Sequence, residues 1–262
     1  MAPTTYFFEG ITLLITHYNR SHSLERLLRT FKEQNCSFQD IVVSDDGSKI
    51  EHLTKLKDLQ AILPFRLITT EKNQGLGHNI NKGQDAVNTP YTLYIQEDFV
   101  PKPIFNRSLQ NALSFMAEKK ELDMVRFYAY FKYPFLKPYK NGFSEMLFSP
   151  WPWYWGYQKF YYYSDHPHLR RSNFLEKFGR YPEGLKGDVT EYRMMMSFIQ
   201  KKGQGLFYDN FQSLFDQQNS SAEPSTMKRN YWRESEQPLV TVARHFYRHL
   251  KFNVDFHFSR YA

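Results

Sequence analysis

The stretch from Tyr91 to Pro101, YTLYIQEDFVP, decides how the rest of the chain is interpreted. Apolar and more polar side chains alternate from Tyr91 to Gln96, which predicts a β-strand that ends at the acidic pair Glu97 and Asp98. Ligands bind outside the carboxyl ends of strands in open α/β sheets, so this pair predicts a site for Mg²⁺ or Mn²⁺ and a phosphate. An ordinary solvated turn is the alternative, because acidic pairs are common after strands.

Strands and helices alternate in the residues before this stretch. Apolar, β-rich runs predict strands at residues 11–16, 40–44 and 65–69. Leucines at helical spacing predict helices after the first two strands, and a third helix is predicted at residues 78–87. This order is typical of right-handed βαβ units in a mostly parallel sheet. Neither a GxGxxG nor a GxxxxGK[ST] pattern occurs, so a dinucleotide site is not expected.

The composition favours anionic partners and a reducing compartment. The 262 residues include 34 basic and 27 acidic side chains, which gives a formal charge of +7. Nucleotides or phospholipid surfaces fit this charge, whereas nucleic acid is not expected, because the basic residues are dispersed and no recognised module occurs. Cys36 is the only cysteine, so a cytoplasmic protein without disulfides is predicted. No signal sequence or membrane-spanning run is recognised, which predicts a soluble or peripheral protein.

Four polar motifs fall at the predicted sheet edge. They read HYNR at residues 17–20, SDDGS at 44–48, NQGLGHNINKG at 73–83 and QED at 96–98. Their order and spacing resemble those of the family 2 glycosyltransferases with the GT-A fold, whose motifs are TYNR, DDGS, NxGxxxARNxG and a DxD-type acidic motif. The resemblance is good over roughly the first hundred residues. It implies an α/β fold with a Rossmann-like, mostly parallel sheet flanked by helices and an aromatic-rich C-terminal acceptor region.

The resemblance also implies an activity and a donor site. A sugar would move, with inversion, from a nucleoside diphosphate sugar, UDP-linked by preference, to a hydroxyl of a glycan or lipid-linked saccharide. Asp98 matches the position that binds the metal, Mn²⁺ or Mg²⁺, which stabilises the departing diphosphate. Asp46 matches the aspartate that accepts a hydrogen bond from a uracil-like base. The other residues predicted to bind the nucleotide are Thr16, Tyr18, Arg20, Asn73, Gly75, Asn81 and Glu97.

Two acidic residues are candidates for the base that takes the acceptor proton. Asp188 matches the late acidic position of the family and precedes a helix predicted from about Thr190 to Lys201. Glu191, one turn later, is the alternative, because the alignment is weak there. Asp188 has a structural explanation as well, since acidic residues favour helix N-termini.

The second half of the chain is aromatic and less periodic. The predicted parts are a nucleotide-sugar-binding half at 1–125, an acceptor-binding and catalytic half at 126–205, and a C-terminal extension at 206–262. Within the run WPWYWGY, Trp153 and Trp155 are predicted to stack on the acceptor sugar, although packing under a long loop explains them equally well. The resemblance further predicts a short helix within residues 169–179.

A basic, aromatic helix is predicted at residues 239–258 near the C-terminus. Helices of this composition either contact an anionic membrane, which would suit a lipid-linked acceptor, or pack on the domain through their aromatic face.

Three departures from the family pattern keep other functions open. Gln96 replaces the first aspartate of DxD, and His78 and Ile80 stand where the family often has a small residue and an arginine. A catalytically silent nucleotide- or glycan-binding relative is therefore one alternative. A nucleotidyltransferase that forms sugar nucleotides is another, although the loop HYNRSHS lacks the glycine-rich character of that class.

Overall fold

The computed structural model describes residues 4–151, 154, 156–219, 223 and 237–261. Strands β1 to β6 are Tyr6–His17, Cys36–Asp45, Arg66–Ile68, Tyr91–Gln96, Phe99–Pro101 and Met124–Arg126. Strands β7 to β11 are Leu136–Pro138, Phe143–Met146, His168–Arg171, Gly205–Tyr208 and Phe215–Gln217. Helices α1 to α7 are Ser21–Glu33, Ile50–Gln60, Leu76–Asp85, Ile104–Glu118, Phe174–Phe178, Gly187–Gln200 and Pro238–Phe258, and a 3₁₀ helix covers Tyr157–Phe160.

Nine of the described strands form one sheet, in the order β3-β2-β1-β4-β9-β6-β10-β8-β7. All of them except β8 and β9 run in the same direction, since β9 is antiparallel to both β4 and β6, and β8 to both β10 and β7. The predicted α/β fold with a mostly parallel sheet is therefore confirmed. Strands from the first two predicted parts share this sheet, and the division of the chain at residues 125 and 205 stays a prediction.

The sheet is buried on both faces. In β1, Leu13 and Ile15 belong to one apolar core, whereas Leu14 between them belongs to a second core on the opposite face. Helix α1 covers the first face with Leu24, Leu27, Leu28 and Phe31. A continuous apolar run such as ITLLIT is what a strand covered on both faces requires.

Residues 169–171 differ from the sequence-based expectation. The short helix expected within 169–179 is present as Phe174–Phe178, directly before Gly179, but Leu169 to Arg171 lie in β9, between β4 and β6. The strand tolerates a buried arginine because Arg170 donates hydrogen bonds of 2.8 Å to the Tyr181 hydroxyl and of 2.8 Å to Gln84 Oε1.

The C-terminal helix α7 confirms the helix expected at residues 239–258. Its buried Phe252 packs against Tyr157 and Phe160, and Phe256 packs against Phe148. Among the described residues, no helix combines the length and apolar character that crossing a bilayer requires.

Candidate active site

A cavity of about 750 Å³ opens where β1, β2 and β4 end. Residues of the predicted donor side that line it are Thr16, Tyr18, Arg20, Asp46, Asn73, Gly75, Glu97 and Asp98. Residues of the second half line the same cavity, among them Arg126, Asp165 and Glu191. The sheet edge therefore brings together side chains that lie far apart in the sequence, as the strand-end rule for α/β sheets predicts.

The loops after β1 and β2 are tied together by polar contacts. His17 Nε2 accepts a hydrogen bond of 3.2 Å from the Arg20 N–H, so its Nδ1–H donates to Asp45 Oδ1 at 2.8 Å. Burial alone would raise the pKa of Asp45, but hydrogen bonds from His17, Ser48 and Thr69 outweigh it and lower the pKa to about 2. The hydrogen bonds of His17 and Asp45 thus hold the loops after β1 and β2 together beside the cavity.

Asp46 holds the loop that precedes α3. Its Oδ1 accepts a hydrogen bond of 3.0 Å from the Gln74 N–H, and its Oδ2 accepts one of 2.8 Å from the Gly75 N–H. The following Gly47 has φ +67°, and a Cβ there would lie 2.5 Å from the Lys72 carbonyl carbon. Gly47 therefore lets the backbone after β2 pass close to Lys72 and Asn73, and Asp46 beside it lies at the cavity wall.

Glu97 and Asp98 are buried beside Arg20. Nη1 of Arg20 lies 3.6 Å from Glu97 Oε1 and 3.5 Å from Asp98 Oδ2. Burial and the neighbouring Asp98 raise the pKa of Glu97 to about 8, although Arg20 opposes this change. The arrangement is an acidic pocket with one arginine at its side.

Asp98 is held by a strand from the far end of the chain. Strand β11 pairs with β5 in a separate two-stranded sheet, which brings Gln217 Nε2 to 2.9 Å from Asp98 Oδ2. Oδ1 of Asp98 is buried and has no hydrogen-bond partner among the described residues. Carboxylate oxygens are preferred ligands of Mg²⁺ and Mn²⁺, so this oxygen fits a divalent cation.

A second pair of carboxyl groups lies on the acceptor side of the cavity. Oε1 of Glu191, on α6, accepts a hydrogen bond of 3.1 Å from the Asp165 N–H. Burial raises the pKa of both carboxyl groups, and Glu191 raises that of Asp165 further. Arg126, buried at the end of β6, donates from Nη1 to the Tyr161 carbonyl at 2.7 Å and lowers the pKa of Glu191 electrostatically.

The structure places the two candidates for the base differently with respect to the cavity. Glu191 lines the cavity, whereas Asp188, in the first turn of α6, is not among the lining residues and accepts a hydrogen bond of 3.0 Å from the neighbouring Val189 N–H. The arrangement matches the structural explanation for Asp188, a carboxylate at a helix N-terminus.

Asn81 is not among the residues that line the cavity, and its nucleotide-binding role stays a prediction. Its side chain is buried between α3 and the segment before α6, where its Nδ2 donates to the Tyr181 carbonyl and its Oδ1 accepts from the Tyr181 N–H. Its Nδ2 also donates to Glu183 Oε1 at 2.8 Å, so Asn81 positions residues 181–183, the segment that leads to α6 and Glu191.

Sequence reasoning missed Arg126, Asp165 and Gln217. Arg126 is the last residue of β6 and could have been found by the rule that placed Asp46, whereas Asp165 and the three-residue strand β11 with Gln217 have no regular sequence pattern. Aromatic rings do line the acceptor side, namely Tyr130, Phe131, Tyr133 and Tyr161. Trp153 and Trp155, the residues predicted for stacking, lie outside the described residues.

Comparisons with known proteins agree with the predicted family. The sequence model of the family described as Glycosyl transferase family 2 matches residues 12–179. A curated relative, the teichoic acid poly(glycerol phosphate) polymerase of Staphylococcus epidermidis, is 28% identical over 92 residues, which are 34% of this chain and 12% of that protein. The chain therefore spans a small part of that relative's length.

Solved structures confirm the GT-A fold. Residues 1–349 of S. aureus TarS in complex with UDP-GlcNAc superpose with a TM-score of 0.61 at 15% identity, over 93% of this chain and 73% of that one. The mannosyltransferase PcManGT from Pyrobaculum calidifontis, in complex with GDP-Man and Mn²⁺, gives a TM-score of 0.57 at 14% identity, over 92% and 63%. At these identities the likeness concerns the fold alone.

Proposed function

The chain belongs to glycosyl transferase family 2, and from this premise we propose that it is an inverting glycosyltransferase that moves a sugar from a UDP-linked donor to a hydroxyl of a glycan or lipid-linked saccharide. The observation that carries the proposal is that one cavity is lined by Asp46 and the acidic pair from the first half and by Glu191 from the second. A cytoplasmic location stays a prediction from the single cysteine.

The nucleotide would lie along the loops that follow β1 and β2. Asp46 and Asn73 offer hydrogen-bond acceptors beside the backbone of Gly75, and Thr16 and Tyr18 line the same wall. The UDP-GlcNAc bound to TarS supports a UDP-linked donor, and the GDP-Man bound to PcManGT makes GDP the comparison to test.

Asp98 would hold Mn²⁺ or Mg²⁺ through its unpartnered Oδ1. The described residues contain no cluster of three His, Cys, Asp or Glu suited to a metal, so the donor diphosphate would complete the ligand set. A bound ion would neutralise the charge that develops on the departing diphosphate. Arg20, close to Oδ2, adds fixed positive charge at the same place.

Glu191 is our candidate for the base. Burial raises the pKa of its carboxyl group above the ordinary value, which makes the carboxylate a stronger proton acceptor. Its carboxylate would take the proton of the acceptor hydroxyl while that oxygen attacks the anomeric carbon from the face opposite the diphosphate. The bond from the anomeric carbon to the diphosphate oxygen then breaks, and the configuration inverts. Asp188 stays the second candidate.

The acceptor would lie against the aromatic wall formed by Tyr130, Phe131 and Tyr161. Flat rings cover the apolar faces of sugars at low entropic cost. The Tyr130 hydroxyl donates a hydrogen bond of 2.9 Å to Gln217 Oε1, so this wall touches the residue that contacts Asp98. Contact of Trp153 and Trp155 with the acceptor stays a prediction.

A catalytically silent binding relative is the second candidate function. Gln96 replaces an acidic residue of the metal motif, and the Arg20 guanidinium lies beside both remaining carboxylates. An arginine at this place would supply the positive charge that nucleotide binding needs without an ion.

Calorimetric titration of UDP and of GDP, each with and without Mn²⁺, tests the donor site. We expect Mn²⁺-dependent binding of UDP that weakens about tenfold or more in Asp46→Ala and in Asp98→Ala, because each variant removes a charged contact. Asp58→Ala, an exposed position on α2, is the matched control and should bind as the wild type does. Absence of binding to both nucleotides under every metal condition would overturn the donor site.

Turnover separates the two functions. The wild type, given a panel of UDP-sugars with Mn²⁺ and saccharide acceptors, should release UDP and form a product of inverted anomeric configuration, which nuclear magnetic resonance detects. Tight UDP binding without Mn²⁺, together with no turnover of any donor, would favour the silent relative.

A further inference from the structure

Helix α7 has an apolar outer face. Val242, Phe246, Leu250, Val254 and Phe258 recur every four residues, and Tyr247 lies beside them. These six side chains, the outer stripe, are between 50% and 85% exposed. Residues four apart share one helix face, so the stripe is continuous along most of the helix. The opposite face is already used, because Phe252 and Phe256 pack on the domain.

A stripe of this size calls for a partner. Single exposed apolar residues are ordinary, but a continuous stripe of six apolar side chains is typical of a surface that contacts another molecule or a membrane. No described helix is long and apolar enough to cross a bilayer. A helix with one apolar outer face and polar flanks fits the plane of a membrane surface instead.

The net charge of α7 and its flanking residues indicates which partner fits. The segment 237–261 contains Arg244, Arg248, Lys251 and Arg260 against Asp255 as the one acidic residue. Asp255 accepts hydrogen bonds from Lys251 and Tyr192. The whole chain carries +7. Anionic phospholipids attract such a segment. A second copy of this chain would instead bring two basic segments together, and their like charges would repel each other.

We propose that α7 lies flat on an anionic phospholipid surface, with the outer stripe at the boundary between headgroups and acyl chains. The proposal concerns a surface outside the cavity and does not depend on the proposed function. Helix α7 packs on α6 through the Tyr192–Phe252 ring contact, with centroids 4.9 Å apart, and Glu191 precedes Tyr192. Docking through α7 therefore attaches the acceptor side of the molecule to the membrane.

Co-sedimentation with vesicles tests the proposal. The purified chain is mixed with vesicles of phosphatidylglycerol and phosphatidylcholine, and separately with vesicles of phosphatidylcholine alone. We expect binding to the mixed vesicles that weakens in 0.5 M NaCl and is much lower on phosphatidylcholine, because salt screens the attraction between basic side chains and lipid.

A double variant, Phe246→Ser with Leu250→Ser, should weaken vesicle binding about tenfold or more, since two apolar side chains no longer enter the lipid. The matched control is Ile50→Ser with Ile104→Ser, two isoleucines that are 75% and 51% exposed on other surfaces. The control should bind as the wild type does, and UDP binding should be the same in all three proteins.

Three results would overturn the proposal. The first is wild-type protein that stays in the supernatant with anionic vesicles. The second is an equal loss of vesicle binding in the two double variants. The third is a dimer in light scattering that the Phe246 and Leu250 substitutions dissociate while no vesicle binding occurs, which would make the outer stripe a subunit interface.

Discussion

The backbone N–H of Asp165 donates a hydrogen bond of 3.1 Å to Oε1 of Glu191, so two carboxyl groups from separate elements meet at the cavity wall. Asp165 Oδ1 accepts a hydrogen bond of 2.7 Å from the Tyr163 hydroxyl, and its buried Oδ2 has no partner among the described residues. Because two adjacent carboxylates repel each other in a buried site, at least one of the pair favours a proton near neutral pH. Glu191 lines the cavity, so its carboxyl group has the access to an acceptor hydroxyl that a base needs.

Replacing Glu191 by glutamine should remove catalysis and leave nucleotide binding intact. Amide and carboxyl groups have the same shape, but the amide does not accept the acceptor proton, so turnover should fall about 10²- to 10⁴-fold. UDP affinity, measured by calorimetry, should change little. Asp188→Asn is the matched comparison and should retain most activity. A loss of turnover in Asp188→Asn with an active Glu191→Gln protein would instead make Asp188 the base.

The stability of the protein should fall as pH rises from about 4 to 8, partly through Asp165. Burial and Glu191 raise its pKa to about 8, well above the unfolded value. The folded state therefore binds more protons in this window, and the free energy of unfolding decreases with pH. The amide group of Asp165→Asn does not titrate in this window, so the thermal midpoint of the variant should depend less on pH. Asp58→Asn, at an exposed position, should follow the wild type; equal pH dependence in all three proteins would contradict the raised pKa.

The donor side could be predicted from the sequence because its signals are local. The apolar run 11–16 and the turn after it place Thr16, Tyr18 and Arg20, and the next strand places Asp46 at the same edge. The positions of the strands and helices were sufficient to predict that these residues lie together, because parallel strands align their carboxyl ends. The family motif does not tell which face of α3 each side chain occupies, so the contact of Asn81 with Tyr181 could not be predicted from the sequence.

The acceptor side depends on contacts between distant residues. Gln217 reaches Asp98 only through the pairing of β5 with β11, two three-residue strands that are more than a hundred residues apart. Asp165 lies in an irregular segment that aromatic packing holds in place, for example through the contact of His166 with Tyr130. The family resemblance included Leu169 to Arg171 in the expected helix, but these residues pair with β4 and β6, and only tertiary partners explain the buried Arg170.

Gly77 should be essential for the packing of α3. A Cβ at this position would lie 2.3 Å from the Pro182 carbonyl oxygen, which is backbone and cannot rotate away. Gly77→Ala should therefore lower the free energy of unfolding by about 1 to 3 kcal/mol. Gly187→Ala is the matched control, because its Cβ would meet Leu76 Cδ2 at an ordinary 3.5 Å. Denaturant unfolding of both variants checks this, and equal stability would show that residues 181–183 move freely.

Glu223 stabilises the N-terminus of α1 from two hundred residues away. Its carboxylate accepts hydrogen bonds of 2.9 Å from the N–H groups of His22 and Ser23 and of 2.6 Å from the Ser23 hydroxyl. Anionic acceptors at helix N-termini satisfy otherwise unpaired N–H groups and complement the helix dipole. Glu223→Gln should lower the free energy of unfolding by about 1 kcal/mol at pH 7.

The effect of Glu223 should depend on pH. Burial would raise its pKa, but the hydrogen bonds from Ser23 and His22 outweigh burial and lower the pKa below the ordinary value of 4.5. The charged carboxylate thus stabilises the fold above that value, and this contribution is lost as pH falls through the lowered pKa. The stability difference between the wild type and Glu223→Gln should therefore be present at pH 7 and shrink below pH 4. Glu71→Gln, at an exposed loop position, should show no difference at either pH; a constant gap for Glu223→Gln would mean that the charge of Glu223 is not what stabilises α1.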